Sequence, residues 1–200
     1  MRRRNEIYYK AKKTEIMERS YACYCENGFS GTGIQKLAEA CGMTKPNFYT
    51  YFDSVEDLVI QSTEHCMTKI EDEFMSKAPE DPDELIAFLE ELPYWTEQKH
   101  GKEYRLMYQI YTHPKYIEYG KRFMKDVNQR YTAYSKRIEK VLGIPYDVLT
   151  PLIFVYVHSC VHYAIFGDKE ALTAQLSTLR RCLTLLQNDC KADPAAKKQA

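Results

Sequence analysis

Apolar residues recur at three- and four-residue intervals through every long segment of the chain, and no convincing run shows the two-residue alternation of a strand. With 8 Gly and 8 Pro in 200 residues, the chain has few turn-forming residues for a collagen-like, low-complexity or turn-rich all-β protein. Glycines follow several periodic segments, as they do at helix ends. The pattern predicts an all-α protein of about nine helices.

Capping residues and helix breakers set the predicted boundaries. Thr32 and Ser54 begin capping-box sequences and Thr44 is a capping residue, so they are expected to open the second, fourth and third helices. Asp81 is expected to cap a fifth helix, which Pro93 should end or kink. The other helices are predicted at about residues 6–27, 102–112, 116–143, 147–166 and 169–188.

Charge divides the chain although its total is zero. The net charge is +4 over residues 1–52, −12 over residues 53–98 and +8 over residues 99–200. A basic amino-terminal block suits a polyanion such as nucleic acid, although a solvated helix surface gives the same count. We predict a small unit at residues 1–52, a larger helical body at residues 53–190 and a polar, disordered tail at residues 191–200.

Cysteine usage and hydropathy predict a cytoplasmic protein with no membrane partner. The seven cysteines are scattered and form no Cys-x-x-Cys pair, as expected of reduced thiols. The basic first residues are followed by a polar segment rather than the apolar core of a signal peptide. The longest apolar run, residues 152–166, is shorter than the roughly 18–20 residues of a membrane span.

Residues 37–45 have the layout of a helix-turn-helix, within a predicted motif at about residues 33–52. Ala38 is small enough for two helices to cross, Gly42 tolerates a positive φ in the turn, and Met43 is an apolar plug after it. A plain helical hairpin with a solvated face is the alternative. The predicted core with the first helix is Ile34, Leu37, Cys41, Phe48 and Phe52.

The third helix then presents a polar face that suits the major groove of DNA. Amide side chains read base edges, whereas Lys, Thr and Tyr hold phosphates. The outward residues are predicted to be Thr44, Lys45, Asn47, Tyr49, Thr50 and Tyr51.

This segment resembles the TetR family of bacterial transcription regulators in residues 28–32, 34–45 and 48–52, with Ser54, Glu56, Asp57 and Leu58 extending the match. The resemblance implies a dimeric, all-helical, ligand-binding body behind the DNA-binding unit. It also implies that Thr32 and Thr44 touch the DNA backbone and that Tyr49 contacts a phosphate, with Tyr51 at a matching aromatic position. By the same resemblance, Lys45, Pro46 and Asn47 begin the sequence-reading helix.

Two positions depart from the family pattern. Val55 stands where a phosphate-gripping Lys is common, and Gly33 stands where Thr or a similar residue is common. A basic amino-terminal arm could compensate by reaching phosphates or a minor groove, or it could be a disordered start. The arm comprises Arg2, Arg3, Arg4, Lys10, Lys12 and Lys13.

The body offers two candidate sites, both made of apolar and aromatic residues. One is a pocket for a flat or amphipathic ligand, for which plain core packing is the alternative; its residues are Trp95, Tyr104, Met107, Tyr108, Tyr111 and Phe123. The other is a homodimer interface that by resemblance forms a four-helix bundle with the partner. Its residues are Val155, His158, Val161, His162, Ile165, Leu172, Leu176, Leu179, Leu183 and Leu186.

No set of residues suggests an enzyme, a cofactor or a metal site. The glycine-rich segment at residues 28–33 lacks the Gly-Lys-Ser/Thr ending of a phosphate-binding loop. His158 and His162 have a chelating i, i+4 spacing but no visible third ligand, so a role in packing or in a pocket is the better interpretation. The expected protein is a repressor that binds a palindromic operator as a homodimer and is released by an unidentified small molecule. The alternative is a dimeric ligand-binding or protein-interaction module with a degenerate helix-turn-helix.

Overall fold

The computed structural model describes residues 2–192, except for the side chains of residues 2–5, 82–83 and 190–192. In this part of the chain, eight helices and no strands are present. The helices are α1 (Arg2–Asn27), α2 (Ile34–Ala40), α3 (Lys45–Phe48), α4 (Val55–Lys77), α5 (Pro82–Tyr111), α6 (Ile117–Leu142), α7 (Tyr146–Phe166) and α8 (Lys169–Ala192). The all-α prediction is confirmed. Of the predicted tail, residues 191–192 end α8, and residues 193–200 lie outside the described part.

The prediction that a helix ends at Pro93 is wrong, and this is why the described residues form eight helices rather than nine. The alternative, that Pro93 kinks the helix, stays a prediction. Proline removes the N–H that would bond to the carbonyl four residues earlier, here that of Leu89. The Tyr156 hydroxyl on α7 donates a hydrogen bond to this carbonyl instead. Because the orphaned oxygen has a partner, α5 continues through Pro93 as a single helix.

Most predicted capping residues are confirmed, with one correction. The Asp57 N–H donates to Ser54 Oγ at 3.0 Å, as a capping box at the start of α4 requires, and the Glu84 N–H donates to Asp81 Oδ1 at 3.2 Å. Thr44 is the N-cap of α3. Thr32, however, does not cap α2, because Gly33 is the N-cap and the Thr32 hydroxyl donates to the Gly28 carbonyl at 2.8 Å.

The chain forms two compact units whose boundaries fall inside helices. The first unit comprises Met1–Phe74 and Lys102–Phe123, and the second comprises Met75–Gly101 and Met124–Ala200. Helices α4, α5 and α6 therefore each contribute residues to both units. The predicted division near residue 52 lies within the first unit. It stays a prediction of where the DNA-binding part of the chain ends.

The first unit packs α1, α2 and α3 around a small apolar core. Ile16, Leu37 and Phe48 are fully buried, and Cys41 and Phe52 are almost so. Ile34 is half-buried, so it borders this core rather than filling it. At Gly120 on α6, an added Cβ would lie 2.8 Å from both Cβ and the carbonyl oxygen of Tyr111, so a glycine there permits the close approach of α5 and α6.

The second unit is built on α7 and a cluster at the far end of α6. Tyr134, Ile138, Ile144 and Leu149 form its buried core, and the Tyr134 hydroxyl donates to the Pro79 carbonyl. Helix α7 is long and apolar enough to cross a membrane, but 44% of its apolar window is buried. The core helix of a soluble protein meets the same criterion, and α7 buries the following residues: Leu149, Thr150, Tyr156, Val157, Cys160, Val161, Tyr163 and Ala164.

Candidate nucleic-acid interface

The turn between α2 and α3 is built as the sequence pattern indicates. Gly42 has φ +65°, a conformation that L side chains rarely adopt. The Met43 N–H donates to the Ala38 carbonyl at 2.9 Å, which closes the turn against a buried Ala38. One face of α3 is then fixed by Phe48, which is fully buried and packs on Phe52 with ring centroids 5.5 Å apart.

The other face of α3 is open to solvent and carries the predicted DNA-contacting side chains. A single helical turn, residues 45–48, is extended by bonds from the Thr50 N–H to the Asn47 carbonyl and from the Tyr51 N–H to the Phe48 carbonyl. Thr44 caps this turn without a side-chain hydrogen bond, so its hydroxyl is not used by the cap. The exposed residues are Thr44, Lys45, Pro46, Asn47, Tyr49 and Thr50, and Tyr51 is half-buried.

Thr32 is the one buried member of the predicted DNA-binding set. It is 7% exposed, and its hydroxyl is already engaged with the Gly28 carbonyl. Its direct contribution is therefore to the loop before α2, which orders the segment leading into the helix-turn-helix.

A residue that the sequence analysis did not single out lies beside α3. Tyr9 on α1 stacks on Tyr51 with ring centroids 5.0 Å apart and planes 17° from parallel. Its hydroxyl donates to the Thr50 carbonyl at 3.3 Å. The helical pattern of α1 gives no sign of this contact, because Tyr9 is 41% exposed and does not belong to an apolar stripe.

Ion pairs and hydrogen bonds join the DNA-binding helices to the rest of the first unit. Glu18 on α1 bonds to Lys69 Nζ at 2.8 Å and faces His65 at 3.4 Å, both on α4. The hydrogen bond from Lys69 is the largest influence lowering the pKa of Glu18. The Tyr21 hydroxyl on α1 donates to the Glu103 carbonyl on α5 at 3.0 Å.

The segment between α5 and α6 also reaches the DNA-binding region. Lys115 bonds to Glu56, in the first turn of α4, at 2.7 Å, and this bond lowers the pKa of the Glu56 carboxyl. Tyr116 is buried and meets the ring of Phe29 edge-on at 6.1 Å, and Phe29 in turn packs on Tyr24 of α1. The segment between α5 and α6 therefore contacts α4 directly and reaches α1 through Phe29.

The predicted pocket residues do not all lie in the same unit. Trp95 is in the second unit, where Lys77 Nζ lies 4.7 Å from its ring centre. The other five lie in the first unit. Tyr104, Met107, Tyr111 and Phe123 are buried, and Tyr108 is half-buried.

The predicted dimer residues lie on α7 and α8 with unequal exposure. Val155 is 63% exposed, whereas Val161 and Leu172 are 5% and 2% exposed and pack inside the second unit. His162 is exposed, and the remaining members of the set are half-buried: His158, Ile165, Leu176, Leu179, Leu183 and Leu186. Leu185 and Phe166, which the prediction omitted, are 61% and 70% exposed.

His158 and His162 pack on aromatic side chains, and Cys25 and Cys66 are partly buried thiols. His158 Nδ1 lies 2.9 Å from the Phe154 carbonyl, and the His162 ring packs on Phe166 at 4.8 Å. Burial raises the pKa of the Cys25 and Cys66 thiols to about 12, so both stay protonated at neutral pH. Among the described residues, no group of three His, Cys, Asp or Glu side chains could hold a metal ion.

Comparison with known proteins identifies the same segment. Residues 16–61 match the model of the family described as bacterial regulatory proteins, tetR family. The helix-turn-helix regulator YerO of Bacillus subtilis is 32% identical over 77 residues, 35% of this chain, and the match spans 27% of YerO's length.

Two further likenesses extend over most of the chain. IcaR of Staphylococcus aureus, a negative transcriptional regulator of the biofilm operon icaADBC, is 26% identical over 168 residues, or 78% of this chain and 86% of IcaR. The crystal structure of a TetR transcription regulator from Haloarcula marismortui has a TM-score of 0.66 at 16% identity and covers 88% of this chain and 98% of that one. The second likeness concerns the fold alone. The helix-turn-helix segment therefore matches the TetR family of bacterial regulatory proteins, and the all-helical chain has the fold of a solved TetR regulator.

Proposed function

We propose that the protein is a cytoplasmic, homodimeric repressor that binds a palindromic operator through α3 and leaves it when a small molecule binds. The observation that carries the proposal is the division of α3 into two faces. Phe48 is fully buried, whereas Lys45 and Asn47 beside it are exposed. A helix held by one apolar anchor with polar groups outward suits base readout in a major groove.

Asn47 is assigned to base reading and Tyr49 to phosphate binding. An amide can form two hydrogen bonds to an adenine edge, a pairing that discriminates against the wrong base by about 1–3 kcal/mol. Tyr49 is 43% exposed, so its hydroxyl is accessible to a phosphate oxygen, which carries no sequence information. Substitution of Asn47 should therefore change the preferred sequence, whereas substitution of Tyr49 should weaken binding to every sequence.

Homodimerisation is assigned to α7 and α8. A groove of about 310 Å³ runs between the two helices, and Leu152, Val155 and Leu179 are among its lining residues. Its largely apolar lining, next to an exposed Leu185, is a surface that a second copy of the same pair of helices can cover. Two copies would then present two α3 helices to half-sites about one duplex turn apart, roughly 34–36 Å.

Effector release is assigned to the helices that enter both units. All the candidate ligand residues except Trp95 lie in the same unit as α3. The segment between α5 and α6 contacts α4 through Lys115 and contacts Phe29, just after α1, through Tyr116. A ligand that favours another arrangement of α4, α5 and α6 would change the spacing of the two α3 helices. A typical coupling of about 1–3 kcal/mol would weaken DNA binding by about 5- to 150-fold. The negative regulation named for IcaR supports a repressor rather than an activator.

The test is binding to duplexes selected from random DNA, followed by matched substitutions. Asn47→Ala should change which bases are preferred at one position of each half-site, whereas Asn128→Ala, at an exposed position on α6, should leave the preference unchanged. Tyr49→Phe should weaken binding about tenfold for every sequence, with Tyr94→Phe, 45% exposed in the second unit, as its control.

A dimeric interaction module with a degenerate helix-turn-helix is the second candidate, and Val55 is the observation that favours it. This half-buried residue in the first turn of α4 supplies no cation to a phosphate. Failure to bind any duplex at low salt, with the protein folded and dimeric, would establish this candidate instead.

A further inference from the structure

Helix α3 needs support from outside itself at its carboxyl-terminal end. It has only four residues, Lys45–Phe48, and a single helical turn is marginally stable in water without tertiary contacts. The turn at Gly42 fixes its beginning, and Phe48 anchors its buried face. The support for its end must therefore act on the residues that follow, next to Tyr49.

Helix α1 contacts this end of α3 from one face. Tyr9 and Lys13 are four residues apart, so their side chains lie on the same face of α1. The Tyr9 ring stacks on Tyr51 with ring centroids 5.0 Å apart, and its hydroxyl donates to the Thr50 carbonyl at 3.3 Å. Lys13 Nζ lies 5.0 Å from the centre of the Phe52 ring. Two side chains of α1 thus contact three consecutive residues just after α3.

These contacts engage groups that the sequence analysis considered for DNA binding. The Tyr51 ring is half-buried, and one of its faces is covered by Tyr9. The Lys13 side chain is also half-buried, so it does not extend into solvent as an arm. The Thr50 hydroxyl donates to the Asn47 carbonyl at 2.7 Å. All three groups therefore have partners inside the protein.

A continuous path of hydrogen bonds joins α1 to the residue assigned to base reading. The Tyr9 hydroxyl donates to the Thr50 carbonyl. The Thr50 hydroxyl donates to the Asn47 carbonyl and lies 3.5 Å from Asn47 Oδ1. A shift of Tyr9 would therefore move Thr50 and, with it, the Asn47 amide. Because hydrogen bonds to bases need donor–acceptor distances of about 2.7–3.2 Å, a displacement of about 1 Å would weaken base reading.

We infer that Tyr9 and Lys13 are positioning residues for operator binding. They hold the end of α3 at the angle at which Asn47 and Tyr49 reach DNA. In this arrangement Tyr51 receives the Tyr9 ring and does not bind a phosphate. The inference rests on the proposed operator-binding function and adds to it two residues of α1 that do not themselves touch DNA.

The stack is tested by a double-mutant cycle on the selected operator, with each variant shown to be folded by circular dichroism. Tyr9→Ala and Tyr51→Ala should each weaken binding by about tenfold or more, because each subunit of the dimer loses an aromatic stack. The double variant should bind no more weakly than the weaker single variant, since both changes remove the same contact. Tyr8→Ala, at a 68% exposed position on α1, is the control and should bind within about twofold of the wild type.

Conservative variants separate positioning from direct contact with DNA. Tyr51→Phe keeps the stacked ring and should bind within about twofold of the wild type, whereas a phosphate contact by the hydroxyl would make it as weak as Tyr51→Ala. Tyr9→Phe keeps the stack, loses the hydrogen bond to Thr50 and should restore most of the binding lost in Tyr9→Ala. Lys13→Met should leave the slope of log K against log salt unchanged, because a lost phosphate contact would reduce that slope by about 0.9 per subunit.

Base reading by Asn47 distinguishes a positioning residue from one that only stabilises the fold. In the Tyr9→Ala background, Asn47→Ala should cost less discrimination at the base that it reads than in the wild type, because the amide is already displaced. Equal losses of discrimination in the two backgrounds, or weakening by Tyr8→Ala as large as that by Tyr9→Ala, would overturn the inference and leave operator binding standing. If neither Asn47→Ala nor Tyr49→Phe affects binding, operator binding itself fails, and the inference fails with it.

Discussion

The helix-turn-helix and the α7–α8 pair expose opposite kinds of side chain. In the first, apolar residues such as Phe48 are buried and polar residues such as Asn47 are exposed, so the surface suits a charged partner. In the second, Val155 and Leu185 remain more than 60% exposed although both helices are well formed. We therefore propose that the first region, which is complete as a folded element, binds DNA and that the second is covered by another copy of itself.

The largest predicted effect concerns the proposed dimer surface on α7 and α8. Val155→Glu places one unpaired carboxylate per subunit in the proposed interface, and each such buried charge costs several kcal/mol. The dimer dissociation constant should rise at least about a thousandfold, measured by analytical ultracentrifugation. Val141→Glu, at an apolar position on α6 that is 50% exposed, is the control and should stay dimeric. Equal behaviour of the two variants would remove α7 from the interface.

The next largest effect concerns the buried and exposed faces of α3. Phe48→Ala removes the fully buried anchor of α3 and should lower the free energy of unfolding by about 3–5 kcal/mol. Tyr49→Ala, its 43% exposed neighbour, should change stability by less than about 1 kcal/mol while weakening DNA binding. Chemical denaturation and anisotropy separate the two outcomes, and a large loss of stability in Tyr49→Ala would contradict the two-faced description of α3.

A smaller effect tests why α5 does not break at Pro93. Tyr156→Phe leaves the Leu89 carbonyl without its hydroxyl donor and should cost about 1–3 kcal/mol of unfolding free energy. In a Pro93→Ala background, the restored backbone N–H can bond to the same carbonyl, so the cost should fall below about 1 kcal/mol. A double-mutant cycle measures this coupling. Additive effects would show that the hydroxyl does not replace the missing N–H.

The smallest predicted effect concerns the number of phosphate contacts made beside the helix-turn-helix. Val55→Lys should restore one phosphate contact per subunit and steepen the salt dependence of operator binding by about 0.9 per subunit. Val148→Lys, at a position on α7 that is 37% exposed, adds the same charge in the second unit and should leave the salt dependence unchanged. If the two variants behave alike, the added charge acts without a specific phosphate contact.

The sequence was most informative where the backbone or a local cap leaves little choice. Gly42 in the turn, Thr44 and Ser54 at helix starts and the buried Phe48 all follow from local rules, and each was predicted. These rules fix the helix-turn-helix because its contacts are near one another in the chain. They did not assign Thr32 correctly, because its hydroxyl donates to the Gly28 carbonyl four residues earlier instead of capping α2.

Contacts between distant segments explain what the sequence could not supply. The donor for Leu89 comes from Tyr156, 67 residues later, so the continuity of α5 through Pro93 was not accessible to a local rule. The stack of Tyr9 on Tyr51 spans α1 and the end of α3 and has no periodic signal. The ligand-pocket residues remain a proposal for the same reason, because buried aromatic side chains serve packing and binding equally well.

The most direct test of operator binding by a dimer is selection of preferred duplexes from random DNA by the full chain, with the stoichiometry of the selected complex measured by sedimentation. The account predicts a palindromic sequence bound by two chains, with half-site centres about 34–36 Å apart. An asymmetric site bound by a single chain, or no preferred sequence at any salt concentration, would contradict it.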